Sequence, residues 1–321
     1  MQKLRVVVPV FDDWDSFRNL MRDMDLLAAD LPITVSVSAI NDGSITFSDA
    51  DINGIAPLEH LAQIEIIHLY SNLGHQRAIA IGLCVAVEDD DCDSILVMDA
   101  DGEDSPLAIK EMLQSAGQSE NFCVVARRGR RRENLTFKLS YLLYKTLFRL
   151  LTGHQIAFGN FCLISRNNAR RLVTIPDLWR NLPAAILRSR VPLKSVLIDR
   201  AQRYAGKSKM DLTSLILHGL SGISVYAETA MVRILVFALS LFALCGLSIG
   251  FVLSLRLFFP RYATPGWATT VSFGLAIILI QILSFTLSFI LMLLNSRVQR
   301  LIVPIADYKC YIEKRQVVLT K

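Results

Sequence analysis

Apolar residues follow two different rhythms along the chain. In the N-terminal part they come as short runs, Leu4–Val10, Ile33–Ile40, Ile64–Leu69, Ser94–Met98 and Phe122–Ala126. Runs of this length, rich in β-branched residues and bounded by turn formers, predict strands. Between them, Asp15–Ala29, Gln76–Val87 and Pro106–Ala116 predict helices. That alternation predicts an α/β fold, a parallel sheet with helices on both faces. Ligands of such sheets sit beyond the carboxyl ends of the strands. The polar clusters Phe11–Asp13, Asn41–Ser44 and Asp99–Asp101 each follow a predicted strand, so they are expected to line one crevice.

The second rhythm is unbroken apolarity. No charged residue lies between Arg233 and Arg256, or between Arg261 and Arg297. A helix of about 20 apolar residues crosses the hydrocarbon of a bilayer, and Ile234–Leu255 and Ala268–Leu294 both satisfy that length. Pro260, Pro265 and Gly266 in the short link predict an antiparallel hairpin. Arg297, Arg300, Lys309, Lys314 and Arg315 follow the second span, against Arg256 and Arg261 at the tip. The positive-inside tendency then puts the N-terminal part and the tail in the cytoplasm. Phe137–Leu151 interleaves Lys138, Lys145 and Arg149 with Leu, Tyr and Phe and predicts an interfacial helix, and Leu212–Tyr226 a second such segment. The expected organisation is a domain over 1–211, a juxtamembrane segment over 212–229, two spans within 230–296 and a basic tail over 297–321.

Composition narrows the classes. Of 321 residues, 52% are hydrophobic and 20% charged, with a net charge of +5, which excludes intrinsic disorder. The six cysteines have no paired spacing, which excludes a disulfide scaffold and predicts reduced thiols. The opening MQKLRVVVPV reads as a strand, not a secretory leader.

Two charge clusters carry candidate chemistry. Between Glu88 and Asp104 there are nine carboxylates and no Lys or Arg. Most of that run reads as a solvated face, but Asp99 and Asp101 directly follow a buried strand. Paired carboxylates there suit Mg²⁺, which takes one or two carboxylates together with phosphate oxygens. Arg127, Arg128, Arg130, Arg131 and Arg132 follow the strand Phe122–Ala126. Guanidinium forks suit phosphate oxygens, and a lipid phosphate is the natural partner beside a membrane. The other reading is a patch attracted to anionic lipid. No aromatic interleaving or motif points to nucleic acid.

The segments VVVPVFDD (6–13), NDGS (41–44), NLGHQRAIAIGL (72–83), VMDADGEDSP (97–106), RRGRR (127–131), FKLSYLLYK (137–145), GNFCLISR (159–166) and RYAGKSKM (203–210), in this order and followed by two apolar spans, resemble family 2 glycosyltransferases of the polyprenyl-phosphate type. That group contains dolichol-phosphate mannosyltransferases and bacterial undecaprenyl-phosphate glycosyltransferases. The resemblance implies a GT-A (Rossmann-like) domain followed by interfacial helices and a two-helix transmembrane hairpin. It also implies inverting transfer from a nucleotide-sugar, UDP-sugar ahead of GDP-sugar, to polyprenyl phosphate, with Mg²⁺ or Mn²⁺ as cofactor. The expected setting is the bacterial plasma (inner) membrane, with the catalytic domain cytoplasmic and homo-oligomerisation left open.

By the same resemblance, Pro9, Phe11, Asp13 and Asp42 hold the nucleoside, and Asn72, Gly74 and Gln76 close over the donor. Asp99, Ala100 and Asp101 form the D-x-D, with Asp99 and Asp101 on the metal. Arg203, Ser208 and Lys209 cover the diphosphate, and Arg128 and Arg131, aided by Lys138 and Ser140, grip the acceptor phosphate. Asp99, Asp101, Arg128 and Arg131 are the expected catalytic set. Three departures stand out: Asn41 replaces the family's Asp, EDSP (103–106) replaces LQDPP, and Asn160 stands where many bacterial members have the Asp of GDF. His75 and His154 read as hydrogen-bonding residues. Two alternatives stay open, a catalytically silent nucleotide-sugar-binding scaffold and a polysaccharide-building transferase.

Overall fold

Along β1 (Lys3–Val10), Leu4, Val6, Val8 and Val10 enter one hydrophobic layer while Val7 enters the other. Both faces of the strand are buried, which is why its sequence is a continuous apolar run and not an alternation. The computed structural model describes residues 2–48, 51, 54–55, 58–89, 91–128, 145–155, 158–199, 201–205, 219–258, 266–298 and 301–321. The chain divides into two compact units. The first comprises Met1–Leu142, Gln155–Val225 and Leu301–Lys321, the second Leu143–His154 and Tyr226–Arg300.

In the first unit, β1 is followed by α1 (Trp14–Ala29), β2 (Thr34–Asn41), β3 (Gln63–Leu69), α2 (His75–Glu88), β4 (Ser94–Val97), α3 (Ala108–Ala116) and β5 (Cys123–Arg128). Then come β6 (Cys162–Ser165), α4 (Arg166–Leu172), α5 (Leu182–Ser189) and β7 (Leu193–Ile198), and β8 (Ile312–Thr320) closes the chain. One eight-stranded sheet results, in the order β7-β5-β6-β4-β1-β2-β3-β8. Phe17, Leu20, Met21 and Met24 of α1 and Ile109 and Met112 of α3 fill one face. Ile79, Leu83 and Ala86 of α2, with residues of α4 and α5, fill the other.

The expectation of a parallel sheet holds for β4-β1-β2-β3 and for the β5–β7 pair. It fails at two places: β6 runs antiparallel between β4 and β5, and β8 runs antiparallel along β3. The four residues of β6 carry no periodic signal from which direction is readable, and β8 returns to the sheet from a distant part of the chain. The basic tail expected over 297–321 is thus, in its last part, an edge strand of the sheet.

A charge cluster fastens that strand. Arg315 donates to both oxygens of Glu65 (2.6 and 2.9 Å) and both of Asp89 (2.9 and 2.6 Å). Arg5, only 2% exposed, reaches Asp89 at 2.5 Å and Asp91 at 3.4 Å. Cys84, Cys92, Cys123 and Cys162 are buried and unpaired. Burial pushes the Cys92 and Cys123 thiols up to about 12, so they act as small apolar residues and not as nucleophiles.

The second unit contains α6 (Ala227–Phe258) and α7 (Trp267–Val298), packed on each other. Both are long and apolar enough to cross a membrane. Residues 145–152 are helical, the described part of the segment expected to be interfacial. Arg233 of α6 donates to the Leu150 carbonyl at 2.7 Å, satisfying an acceptor at that helix's end. The Phe148 ring meets Tyr226 edge-on, and His154 lies against the same tyrosine at 4.8 Å. His154 is therefore a packing residue of this unit.

Candidate active site

The loops leaving β1, β2 and β3 are laced to one another at the carboxyl edge of the sheet. Asp12 sits at φ 47°, a left-handed conformation that Asp tolerates better than most residues. Its Oδ1 accepts from the N–H groups of Ile45 and Thr46 and from the Thr46 hydroxyl. Ser44 Oγ in turn accepts from the Asp12 N–H and from Trp14 Nε1. Gly43 has φ +68°, and a Cβ there would lie 2.5 Å from the backbone nitrogen of Asn72. Only glycine lets the two loops approach this closely.

Asp42 is 3% exposed, and its two oxygens accept from the N–H groups of Leu73 (2.7 Å) and Gly74 (3.0 Å). Burial pushes its carboxyl up, against the lowering pull of those two N–H groups. The side chain thus fixes the loop that opens α2. Asn41, the departure from the family's Asp, is also buried: its Oδ1 accepts from the Ser44 N–H and its Nδ2 faces His68 Nδ1 at 3.0 Å. An ionised aspartate has no N–H to offer His68. Burial, then Lys314, holds the His68 pKa below its ordinary value, so the ring is an acceptor for the amide.

The D-x-D follows β4. Ala100 is buried in the layer formed with α1 and α3, while Asp99 and Asp101 flank it with partly exposed carboxylates. Asp104 Oδ2 accepts from the Asp99 N–H, and Asp101 Oδ1 from the Glu103 N–H, so the turn is held by its own acids. Arg203 bridges the crevice, with Nη2 at 2.8 Å from Asp13 Oδ2 and Nη1 at 3.3 Å from Asp101 Oδ2. The segment around it docks on the D-x-D turn: Tyr204 N–H donates to the Asp101 carbonyl and Ala201 N–H to that of Glu103. The Tyr204 ring lies over Gly102, where a Cβ would come within 2.3 Å of it. The Tyr204 hydroxyl donates to Asp23.

His75 and Asn160 complete this wall. Gln76 Oε1 accepts from the Leu182 N–H (2.8 Å), so its Nε2 donates to Asn160 Oδ1 (3.0 Å). The Asn160 amide nitrogen is thereby turned to His75 Nε2 at 3.0 Å, and Asp99 Oδ1 lies 3.2 Å from the same nitrogen. Burial pulls the His75 pKa down, but the carboxylates of Asp99, Asp42 and Asp104 outweigh it and leave it raised. The carboxylate suits an imidazolium and the amide suits the neutral ring, so the two neighbours oppose one another.

Of the site residues expected from sequence, the structure brings Asp13, Asp99, Asp101 and Arg203 together. Asp42, Gly74 and Gln76 lie in the scaffold of the loop before α2, with Pro9 and Phe11 at the end of β1. Arg128 ends β5 by its backbone, and its side chain is outside the described set. Arg131, Lys138, Ser140, Ser208 and Lys209 lie outside the described residues. Sequence reasoning gave no working contact to Asp104, Tyr204 or the Gln76–Asn160–His75 chain. Tyr204 adjoins Arg203, and Asn160 stood out as a departure.

Asp99 and Asp101 are hard oxygen donors of the kind a divalent cation takes. Asp101 already pairs with the Arg203 guanidinium, and among the described residues no three metal-ligating side chains cluster. Asp99 and Asp101 thus fit a metal ion as two carboxylates whose set phosphate oxygens would complete.

Two solved structures share the fold of the first unit. Mannosyl-3-phosphoglycerate synthase of Rubrobacter xylanophilus superposes with a TM-score of 0.50 at 14% identity over 71% of this chain and 73% of that one. Glucosyl-3-phosphoglycerate synthase of Mycobacterium tuberculosis, in a complex with Mn²⁺, UDP-glucose and phosphoglyceric acid, does so with a TM-score of 0.50 at 13% identity over 71% and 80%. The sheet thus has the GT-A fold. Glycosyl transferase family 2 matches over residues 6–173, and the chain belongs to that family. Its relatives include an undecaprenyl-phosphate 4-deoxy-4-formamido-L-arabinose transferase of Klebsiella pneumoniae, 27% identical over 83% of this chain and 80% of that protein. A bactoprenol glucosyl transferase of Shigella phage SfV is 28% identical over 76% and 79%. An uncharacterised glycosyltransferase of Synechocystis is 22% identical over 83% and 82%.

Proposed function

We propose that this glycosyltransferase moves a sugar from a nucleotide-sugar to a polyprenyl phosphate at a bacterial plasma membrane. The observation that carries the reading is the union, in one family 2 chain, of the crevice at Asp13, Asp99, Asp101 and Arg203 with two helices long enough to cross a membrane. Relatives named for undecaprenyl-phosphate and bactoprenol substrates support the acceptor. The chain leaves the first unit at Val225 and rejoins it at Leu301. Both points must lie on one side of a bilayer, which an even number of crossings provides. The donor is taken as a UDP-sugar, with a GDP-sugar as second candidate.

In the reaction, an acceptor phosphate oxygen attacks the anomeric carbon. The bond from that carbon to the donor diphosphate breaks, its electron pair leaves with the nucleoside diphosphate, and the configuration inverts. The second pKa of a phosphate monoester is about 6, so the attacking oxygen is already anionic and needs no strong base. This is why Asn160 in place of an acid is compatible with turnover. Asp99 and Asp101 would hold Mg²⁺ or Mn²⁺, which when bound supplies positive charge to the leaving diphosphate. Arg203 exchanges its carboxylates for the diphosphate, a charge-assisted contact that strengthens as the leaving group gains charge. Arg128 and Arg131, with Lys138 and Ser140, are assigned to the acceptor phosphate, and Ser208 and Lys209 to the donor diphosphate. The test is to incubate membranes containing the protein with radiolabelled UDP- and GDP-sugars and follow label into organic-extractable lipid. Label that appears with the wild type and disappears with Asp101→Asn is the expected result; no lipid label from any donor would overturn the reading.

A further inference from the structure

Arginines crowd a part of the first unit that the proposed reaction does not use. Residues 166–190 contain six arginines and one acid, Asp177. Arg180 and Arg188 are exposed, yet they point to a specific place: Arg180 Nη1 donates to the Ser224 carbonyl (3.1 Å) and Arg188 Nη1 to the Val225 carbonyl (2.5 Å). Ser221 Oγ closes the junction by donating to the Arg180 carbonyl. Val225 precedes α6 by two residues, and two residues of chain span at most about 7 Å. Arg180 and Arg188 therefore stand beside the point where the backbone becomes the first apolar helix. Arg188 Nη1 also pairs with Asp177 at 3.1 Å; a guanidinium carries five N–H donors, more than these contacts use.

Arg190 adds a second observation. It ends α5 in the left-handed region at φ 55°, where glycine or asparagine is the easy choice. The chain keeps an exposed arginine there, at the cost of backbone strain. The helix packed beside α5, α4, likewise ends on exposed arginines, Arg170 and Arg171. The helix dipole favours cations at the C-terminal end of each helix, but it does not require arginine in a left-handed position, nor account for the contacts to Ser224 and Val225.

We infer that the arginine-rich ends of α4 and α5 form a docking face for the anionic phospholipid headgroups of the bilayer that α6 enters. The face is chemically suited to phosphate diesters: several guanidinium forks, a single acid, and continuity with the helix entry. It is separate from Arg128 and Arg131, which the proposed function assigns to substrate. Lipid phosphates bound there hold the catalytic unit against the leaflet through Arg180 and Arg188. The inference rests on α6 crossing a bilayer, as the proposed function has it.

The test uses the full chain in nanodiscs of phosphatidylcholine, with and without phosphatidylglycerol. Arginines are modified with phenylglyoxal and read by mass spectrometry, with exposed Arg22 on α1 as the internal reference. A basic residue at an anionic surface is stabilised by roughly a fivefold factor. Arg171, Arg180 and Arg190 should therefore react about fivefold more slowly in the anionic discs, Arg22 should not change, and high salt should erase the difference. Arg190→Gly, which removes the strain, should unfold at the same or a higher temperature yet retain less phosphatidylglycerol by native mass spectrometry. Uniform reactivity in both discs, equal lipid retention by the variant, or the same protection by inorganic phosphate in neutral discs would each overturn the inference. Failure to enter nanodiscs at all would instead refute the membrane-spanning reading beneath it.

Discussion

Replacing Arg315 with alanine should destabilise the sheet far more than a typical surface change. The side chain makes four charge-assisted hydrogen bonds, two to Glu65 and two to Asp89. Glu65 is 3% exposed, and without Arg315 its remaining cation is Arg5, at 4.0 Å. Removing one partner of a fully buried pair costs about 3–5 kcal/mol. Arg315 is 40% exposed, and water entering the vacated space recovers part of that, leaving about 2 kcal/mol. For a unit of this size each kcal/mol lowers Tm by about 2–4 °C, so a drop of about 4–8 °C is expected. The assay is thermal unfolding of the purified full chain in neutral detergent. Burial raises the Asp89 pKa, but Arg315 and Arg5 outweigh it, so the folded value lies below 3.8. The stability this gives is complete above the unfolded value and is lost as pH falls through the folded one. Arg315→Ala should flatten that acid limb. A Tm within about one degree of wild type, with the acid limb intact, would refute the account of how β8 is held.

Four other outcomes are expected. Asn41→Asp should raise the His68 pKa, read by NMR. In the wild type the lowered pKa means His68 stability is lost as pH falls below 6.5; in the variant it should be gained below the raised value and lost as pH rises through it. Asp101→Asn keeps an acceptor for the Glu103 N–H, so circular dichroism should be unchanged while lipid labelling falls to background. Gly102→Ala adds a Cβ at φ +84° against Tyr204 and should displace the Arg203 segment, lowering turnover at least tenfold by roughly 1.4 kcal/mol or more. Losing an Arg–phosphate fork costs about 1.5–3 kcal/mol, so Arg131→Ala should raise acceptor KM roughly ten- to a hundredfold in neutral micelles. Arg131→Lys should recover only part and Arg132→Ala should do little, while equal small effects in all three would remove the support for an acceptor site.

Much of the sheet is legible in sequence because its strands are buried on both faces. The runs at β1, β3 and β4 announce themselves without any knowledge of their partners. Other elements depend on partners that are far away. β8 reads as a basic tail because Arg315 and its neighbours pair with β3, 250 residues earlier. The four residues of β6 are too few to show a period. The D-x-D is visible as two acids after an apolar run, but Arg203 meets Asp13 across 190 positions, and no local pattern encodes that distance. Asn41 reads as a departure from a motif until His68, on the adjacent strand, shows why an amide is needed there. Local rhythm gives the elements; the partners of charged and amide side chains come only with topology.

The antiparallel edge strand has a consequence for how the protein is made. β8 leaves the ribosome long after β3, with both apolar helices made in between. While α6 and α7 are synthesised, β3 waits as an open edge with its backbone groups unpaired, the condition that invites association with other chains. Glu65 and Asp89 wait with it, without the guanidinium that later reaches them. A product that stops before β8 never closes that edge. The fragment 1–211, a natural choice for a soluble enzyme, is such a product. A chain with both apolar helices excised and Val225 joined to Leu301 by a flexible linker would keep the strand. Completion of the sheet thus comes only after both apolar helices have been made.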